Sequence, residues 1–401
     1  MSDSRQQSLQ DETRSRGFLF RYLGALLVVT LIVGAFNLFM DPLARIHLFD
    51  IEGINDVKFN NGPLTRDYKA GHLFACTYDN FILGTSRSEM GIDPKSAYMF
   101  EGETYNTAFR ASSAYETKLV GDYVLEHQQP KRLILGLDFI SFSGKRQLPE
   151  EFYVSAINSE RGLWDYARYL FSMETLQQSV LLLSWNLRFD IDRCSEDGAN
   201  RQHERRVGAN KAFMSIITRY VRNPQLYQGY EYSPELMGYI EEALIGFQDA
   251  GTDIHLFISP VHALHLEALH SSSLTEDLFL WKEELLLMLE RVNARSGVTK
   301  SLSIWDFSGY NVINTEQIPE EPEKMAYFRD SAHYRKVVGD VILQRLQGKE
   351  MEPKFDGFGK KLTIESIRQD RELWPEQRAR YQELDSLRVT EVHELARQAN
   401  P

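Results

Sequence analysis

Two stretches of this chain carry residues that could do nucleophilic chemistry together. The first is Phe81-Ile82-Leu83-Gly84-Thr85-Ser86-Arg87-Ser88, an apolar run ending in glycine with a serine two residues later. The second is Asp330-Ser331-Ala332-His333, an acid and an imidazole close enough to share one loop. A serine hydroxyl is a weak nucleophile until a base takes its proton, and an imidazole serves best when a carboxylate holds its far nitrogen. Asp330 would orient His333, and His333 would deprotonate Ser86 during attack. The Ser86 N–H and one near Ala111 would donate to the oxyanion, with the Asn106 or Asp138 side chain lining the same spot. Ser88 is a rival nucleophile.

For these loops to meet, a buried sheet must carry both. Phe81-Ile82-Leu83 reads as its first strand, Thr104 to Ala108 as a weaker second, and Leu133-Ile134-Leu135-Gly136-Leu137 as a strand buried on both faces. Ser113-x-x-Glu116 is a capping box that opens a helix over 113–127. Ser233 and Pro234 start another, running to about 250. A strand at Ile254 to Ile258, a helix near 277–295, a strand at Leu302 to Trp305 and a last helix over 334–347 follow. Strands alternating with helices predict right-handed βαβ units and a five-stranded parallel sheet of flavodoxin-like type. In such a sheet the turn after the first strand delivers Ser86 to the crevice at the carboxyl ends, where α/β folds place ligands.

Residues 144–232 break the rhythm with aromatic-rich helical patterns and a charged stretch, so they are expected to form an insertion or cap. Residues 349–401, dense in Arg, Glu and Gln, read as a charged helical tail, either packed along the domain or serving as a partner's docking arm, with Pro375 at a new helix start.

With 401 residues, 43% hydrophobic and 25% charged, the chain has room for one large domain with insertions or two modest ones. Its net charge of −12 offers no basic field for phosphates, which argues against a nucleic-acid partner. No Cys/His spacing suits a zinc site, and no cofactor is called for. Cys76 and Cys194 would either pair or stay as separate buried thiols.

Tyr22 to Phe39 is an uncharged apolar run about long enough to span a bilayer, and no small-x-small cleavage site follows it. Arg5, Arg14, Arg16 and Arg21 precede it, whereas only Arg45 follows closely. The positive-inside rule keeps a disordered tail (residues 1–16) in the cytoplasm, makes 17–40 the single anchor, and sends the rest across the inner membrane. Residues 41–75 read as an irregular juxtamembrane connection, and 76–348 as the main extracytoplasmic domain.

The motif set resembles the SGNH/GDSL hydrolase superfamily. Gly84-Thr85-Ser86 stands for its first block, Asn106 to Ser112 for the second, Gly136-Leu137-Asp138 for the third and Asp330-x-x-His333 for the fifth. The chain is also similar to a membrane-anchored branch that includes the D-alanyl-lipoteichoic acid transfer protein and the acetyltransferase-like proteins of exopolysaccharide export. The resemblance implies a three-layer fold and an acyltransferase or esterase acting on a cell-envelope glycan through an acyl-Ser86 intermediate. It further implies work beside a multi-pass acyltransferase of the MBOAT type. Two departures stand out: Ala111 replaces a usual glycine, and Asp138 replaces an asparagine that donates to the oxyanion. An ionised Asp138 would repel that oxyanion, so it is either protonated by burial or has another role. The other role favours an alternative, a non-catalytic assembly or glycan-binding subunit.

Three further residues lie near the expected crevice. His262, in the loop after the fourth strand, would bind substrate or be structural. Arg87 and Arg110 would grip a carboxylate or phosphate, or form structural ion pairs.

Overall fold

Six strands form one sheet: β1 (Asn80–Leu83), β2 (Thr104–Asn106), β3 (Arg132–Leu137), β4 (Asp253–Ile258), β5 (Ile304–Asp306) and β6 (Lys360–Lys361). Their order is β2-β1-β3-β4-β5-β6; the first five run parallel and β6 adds antiparallel to β5. The computed structural model describes residues 2–58, 65–189, 192–199, 208–295, 297, 300–319 and 324–399. The chain divides into two units, one of residues 1–72 with 151–195 and one of 73–150 with 196–401.

The first unit is helical. Helices are numbered along the whole chain, and this unit holds α1 (Ser2–Met40), most of α2 (Thr65–Ala75) and of α5 (Glu150–Val154), then α6 (Leu163–Leu170) and α7 (Met173–Asn186). Within α1, Arg14–Met40 is long and apolar enough to cross a membrane, with a mean hydropathy of 2.3. Two expectations change here. The first 16 residues continue the helix from Ser2 instead of forming a separate disordered tail, and the 41–75 connection ends in α2. Asp41 organises the turn after α1 by accepting from the N–H groups of Arg45, Ile46 and His47 and from the Tyr169 hydroxyl, at 2.7–3.0 Å.

The second unit carries the sheet, with α3 (Ser86–Gly91), α4 (Ala114–His127), α8 (Ala209–Arg222), α9 (Pro234–Asp249), α10 (Ala263–Ser271), α11 (Thr275–Asn293), α12 (Lys336–Leu346), α13 (Ile364–Leu384) and α14 (Ser386–Ala399). Ser113 caps α4 as its sequence requires, accepting from the Glu116 N–H at 3.2 Å. β1 and β3 are buried almost throughout, which explains why they read as unbroken apolar runs. The described part of the 144–232 insertion forms helices, with 190–191 and 200–207 of its charged stretch outside the described residues, and the predicted 277–295 helix is preceded by α10.

The C-terminal segment is part of the fold and not a solvated arm. Lys360–Lys361 extend the sheet, and α13 and α14 pack onto the unit through a fully buried carboxylate, Glu267 on α10. That group accepts from the Tyr310 hydroxyl at 2.8 Å and pairs with Arg378 at 3.0 Å and His393 at 3.1 Å. α13 also runs through Pro375 instead of starting there. Lys282 and Asp306 form a second buried pair, at 2.7 Å. Both Cys76 and Cys194, the only cysteines, are disulfide-bonded.

Candidate functional site

Strand order 2-1-3-4-5 changes direction between β1 and β3, so the crevice beyond their carboxyl ends is the topological switch point. Ser86 follows β1 and Asp138 follows β3, and both therefore lie at that edge. Gly84 makes the turn possible. Its φ is 138°, and a Cβ there would sit 2.5 Å from the Ser88 hydroxyl. Thr85 then caps α3 by accepting from the Arg87 N–H at 3.3 Å, and Ser86 opens the helix with its side chain half-exposed. Ser88 is fully buried and points back toward Gly84 and Gly136, which removes it as a nucleophile.

The second loop is held from several directions. Asp330 Oδ1 accepts from the N–H groups of Ala332 at 2.9 Å and His333 at 3.0 Å, a tight turn typical of aspartate. The Arg329 N–H donates to the His333 carbonyl at 2.9 Å, and the Arg335 N–H to the Tyr327 carbonyl at 2.8 Å. From the β4 side, the His262 N–H donates to the Ser331 carbonyl at 3.0 Å.

These two loops bring the three expected residues into one chain of contacts. Ser86 Oγ lies 2.9 Å from His333 Nε2, and His333 Nδ1 lies 2.8 and 2.9 Å from the two Asp330 oxygens. The carboxylate favours the tautomer with hydrogen on Nδ1, which leaves Nε2 free to accept from the serine. Burial works to raise the Asp330 pKa, but the His333 charge and hydrogen bonds outweigh it and hold the carboxyl below its ordinary value. The arrangement can therefore activate a hydroxyl and keep its base oriented.

The surrounding expectations fare differently. Asn106 is consumed by structure: its amide donates to the Ser88 and Ile92 carbonyls, both at 3.1 Å, and its oxygen accepts from the Ala108 N–H at 3.1 Å. It has no hydrogen left for an oxyanion. Asp138 pairs with Arg87 Nη1 at 2.9 Å and accepts from the Thr85 hydroxyl, with both charged groups buried. Asp138 is thus the ionic partner of Arg87, and Arg87 is tied down instead of reaching for substrate. Arg110 sits 3.4 Å from the buried Glu89, the structural alternative for that residue too. His262 caps α10: its Nδ1 accepts from the Leu264 N–H at 3.1 Å and its Nε2 lies 2.7 Å from the Glu316 carbonyl. With both nitrogens used and no exposure, it is structural.

Ala111 occupies the left-handed region at φ 59°, the conformation a glycine would take without strain. Its loop lies beside the β1 turn, where the Phe109 N–H donates to the Gly84 carbonyl at 3.2 Å. Two residues near the site had no signature in the sequence. Arg146, a half-buried residue, donates from Nε to the Ala111 carbonyl at 3.1 Å and has no carboxylate partner among the described residues. His265 is fully buried with Nδ1 3.2 Å from the Ser331 hydroxyl. Burial first, then the Arg87 charge, pushes its pKa far below the ordinary imidazole value.

No family model, curated protein or solved structure matches this chain. Among the described residues, no group of three His, Cys, Asp or Glu is placed to hold a metal.

Proposed function

We propose that the chain is a membrane-anchored, extracytoplasmic acyltransferase or esterase of SGNH type that acts on a cell-envelope or exported glycan through an acyl-Ser86 intermediate. The observation that carries this reading is the continuous contact from Ser86 through His333 to Asp330 at the switch-point edge of the sheet. Ser86 Oγ would attack the acyl carbonyl while its proton passes to His333 Nε2; the donor's alcohol or thiol leaves carrying that proton. An acceptor hydroxyl then attacks acyl-Ser86, gives its proton to His333, and Ser86 departs with it. Water in place of the glycan makes the same cycle an esterase. The Ser86 and Ala111 N–H groups remain the proposed oxyanion donors. Arg146, anchored on the Ala111 carbonyl, supplies positive charge beside them.

The resemblance to the SGNH superfamily, with its three-layer fold, and the bias of arginines before the apolar helix support placing the N-terminus in the cytoplasm and the sheet outside. The disulfide-bonded cysteines fit an oxidising compartment. A multi-pass acyltransferase of the MBOAT type is the partner that would deliver the acyl group. The alternative, a non-catalytic assembly or glycan-binding subunit, is favoured by one observation: Asp138 is locked to Arg87 where the superfamily has an oxyanion donor.

Exposure of the full chain to p-nitrophenyl acetate separates the two. The enzyme reading expects acetate on Ser86 by peptide mass spectrometry, none in Ser86→Ala, and acylation slowed about 10²–10⁴-fold in His333→Ala. Turnover unchanged in Ser86→Ala would overturn it.

A further inference from the structure

We infer that α7 lies in the lipid bilayer beside α1, so that the chain meets the membrane through two helices. The inference rests on reading α1 as membrane-spanning. α7 turns mostly polar residues inward and its large apolar ones outward. Its buried face is Thr175, Ser179, Leu182 and Asn186, spaced three or four apart. Its open face carries Met173, Val180, Leu181 and Trp185, which are 66, 53, 54 and 39% exposed, with Glu174 in the first turn and Gln177 as the polar residues among them. A helix facing water turns its apolar stripe inward. One facing lipid does the reverse, because hydrocarbon offers polar groups no partner and they must find one inside the protein.

Those internal partners are present. The Ser179 hydroxyl donates to Asn37 Oδ1 at 2.9 Å, and Asn37 Nδ2 donates to the Leu170 carbonyl at 2.7 Å. Asn186 Nδ2 donates to the Val57 carbonyl at 3.0 Å while its oxygen accepts from the Val57 N–H at 3.1 Å. Side-chain amides and hydroxyls bonding between helices, with a small residue at the contact, are how membrane helices associate. The small residue is Gly34, where a Cβ would fall 2.3 Å from the Phe171 ring.

Length sets the depth. Between Glu174 and Arg188 the segment carries no charge. Its helix of 14 residues is about 21 Å long at 1.5 Å per residue, short of the ~30 Å hydrocarbon core. α7 therefore enters one leaflet without crossing, and contact with Asn37 places it in the leaflet around the C-terminal end of α1. Trp185, near the end of α7, suits the headgroup boundary. The occupant of the open face is lipid, since α1, the helix on which α7 packs, itself presents Leu31 and Ile32 outward.

The test uses the full chain in liposomes with a nitroxide on Val180→Cys or Leu181→Cys, the native cysteines being disulfide-bonded. Leu27→Cys on α1 and Glu372→Cys on α13 serve as references. Collision with oxygen relative to a water-soluble nickel chelate should be several-fold higher at 180 and 181 than at 372, matching 27. A water-like ratio at 180 and 181 with a lipid-like one at 27 sinks the inference and leaves α1 in the membrane. A water-like ratio at 27 removes the reading of α1 first. Low collision with both agents at 180 and 181 means protein contact, from a second copy, and also overturns the inference. Should a cysteine variant misfold, brominated lipids should quench the native chain more than Trp185→Phe, and equal quenching refutes the placement.

Discussion

Asp138→Asn is the most informative single substitution, because two readings of that residue give opposite results. If Asp138 were a protonated donor to the oxyanion, asparagine would keep the donor and the fold would tolerate it. In the structure the carboxylate instead faces Arg87 Nη1 at 2.9 Å and the Thr85 hydroxyl, out of solvent. Asparagine removes the countercharge and turns an NH₂ toward groups that already donate. Breaking one side of a buried ion pair costs roughly 3–5 kcal/mol, because the remaining charge stays desolvated. For a unit of this size that corresponds to a fall in melting temperature of roughly 5–15 °C. Thermal and denaturant unfolding of the purified chain in detergent would measure it. The double variant with Arg87→Met should recover much of the loss, giving a coupling of about 2 kcal/mol or more. An Asp138→Asn chain within about 0.5 kcal/mol of the native one would refute the ionic role, that being the ordinary scatter of harmless changes.

Other consequences are open to the same assays. Ala111→Gly should stabilise by up to about 1 kcal/mol, since glycine takes a φ of 59° without the Cβ clash; a loss of stability would contradict that backbone. Glu267→Gln should cost roughly 3 kcal/mol and leave α13 and α14 open to limited proteolysis, because Arg378 and His393 lose a buried partner; native resistance would count against their docking. His262 is held neutral by burial, with a pKa lowered from 6.5 to about 4. Between those values the unfolded chain binds the extra proton, so stability should fall as pH drops from 6.5 toward 4, by on the order of 3 kcal/mol from this group. His262→Asn, which keeps a capping side chain, should flatten that slope, and an unchanged slope would assign it elsewhere.

What the sequence revealed follows from how local each signal is. β1 and β3 were legible because a strand buried on both faces is an unbroken apolar run, and α4 because Ser113 and Glu116 lie within one turn. Asp330 and His333 were legible for the same reason: three residues apart, they can share a loop whatever surrounds them. The β6 strand is two lysines, which carry no strand preference, so only the sheet edge beside β5 makes it one. Asp138 and Arg87 are 51 positions apart, and no spacing rule joins them. His262 and His265 are three residues apart, and which of them caps α10 and which faces the Ser331 hydroxyl depends on the helix starting at Ala263. In α7, polar and apolar residues alternate at helical spacing, which fixes the helix but not which face is turned inward.

The proposed function requires that His333 activate Ser86 as a nucleophile. Labelling of the full chain by a fluorophosphonate, read by peptide mass spectrometry, tests it directly. One adduct on the peptide containing Ser86 is expected, absent in Ser86→Ala and formed about 10²-fold or more slowly in His333→Ala. No adduct at Ser86, or an adduct formed as fast without the imidazole, would contradict the account.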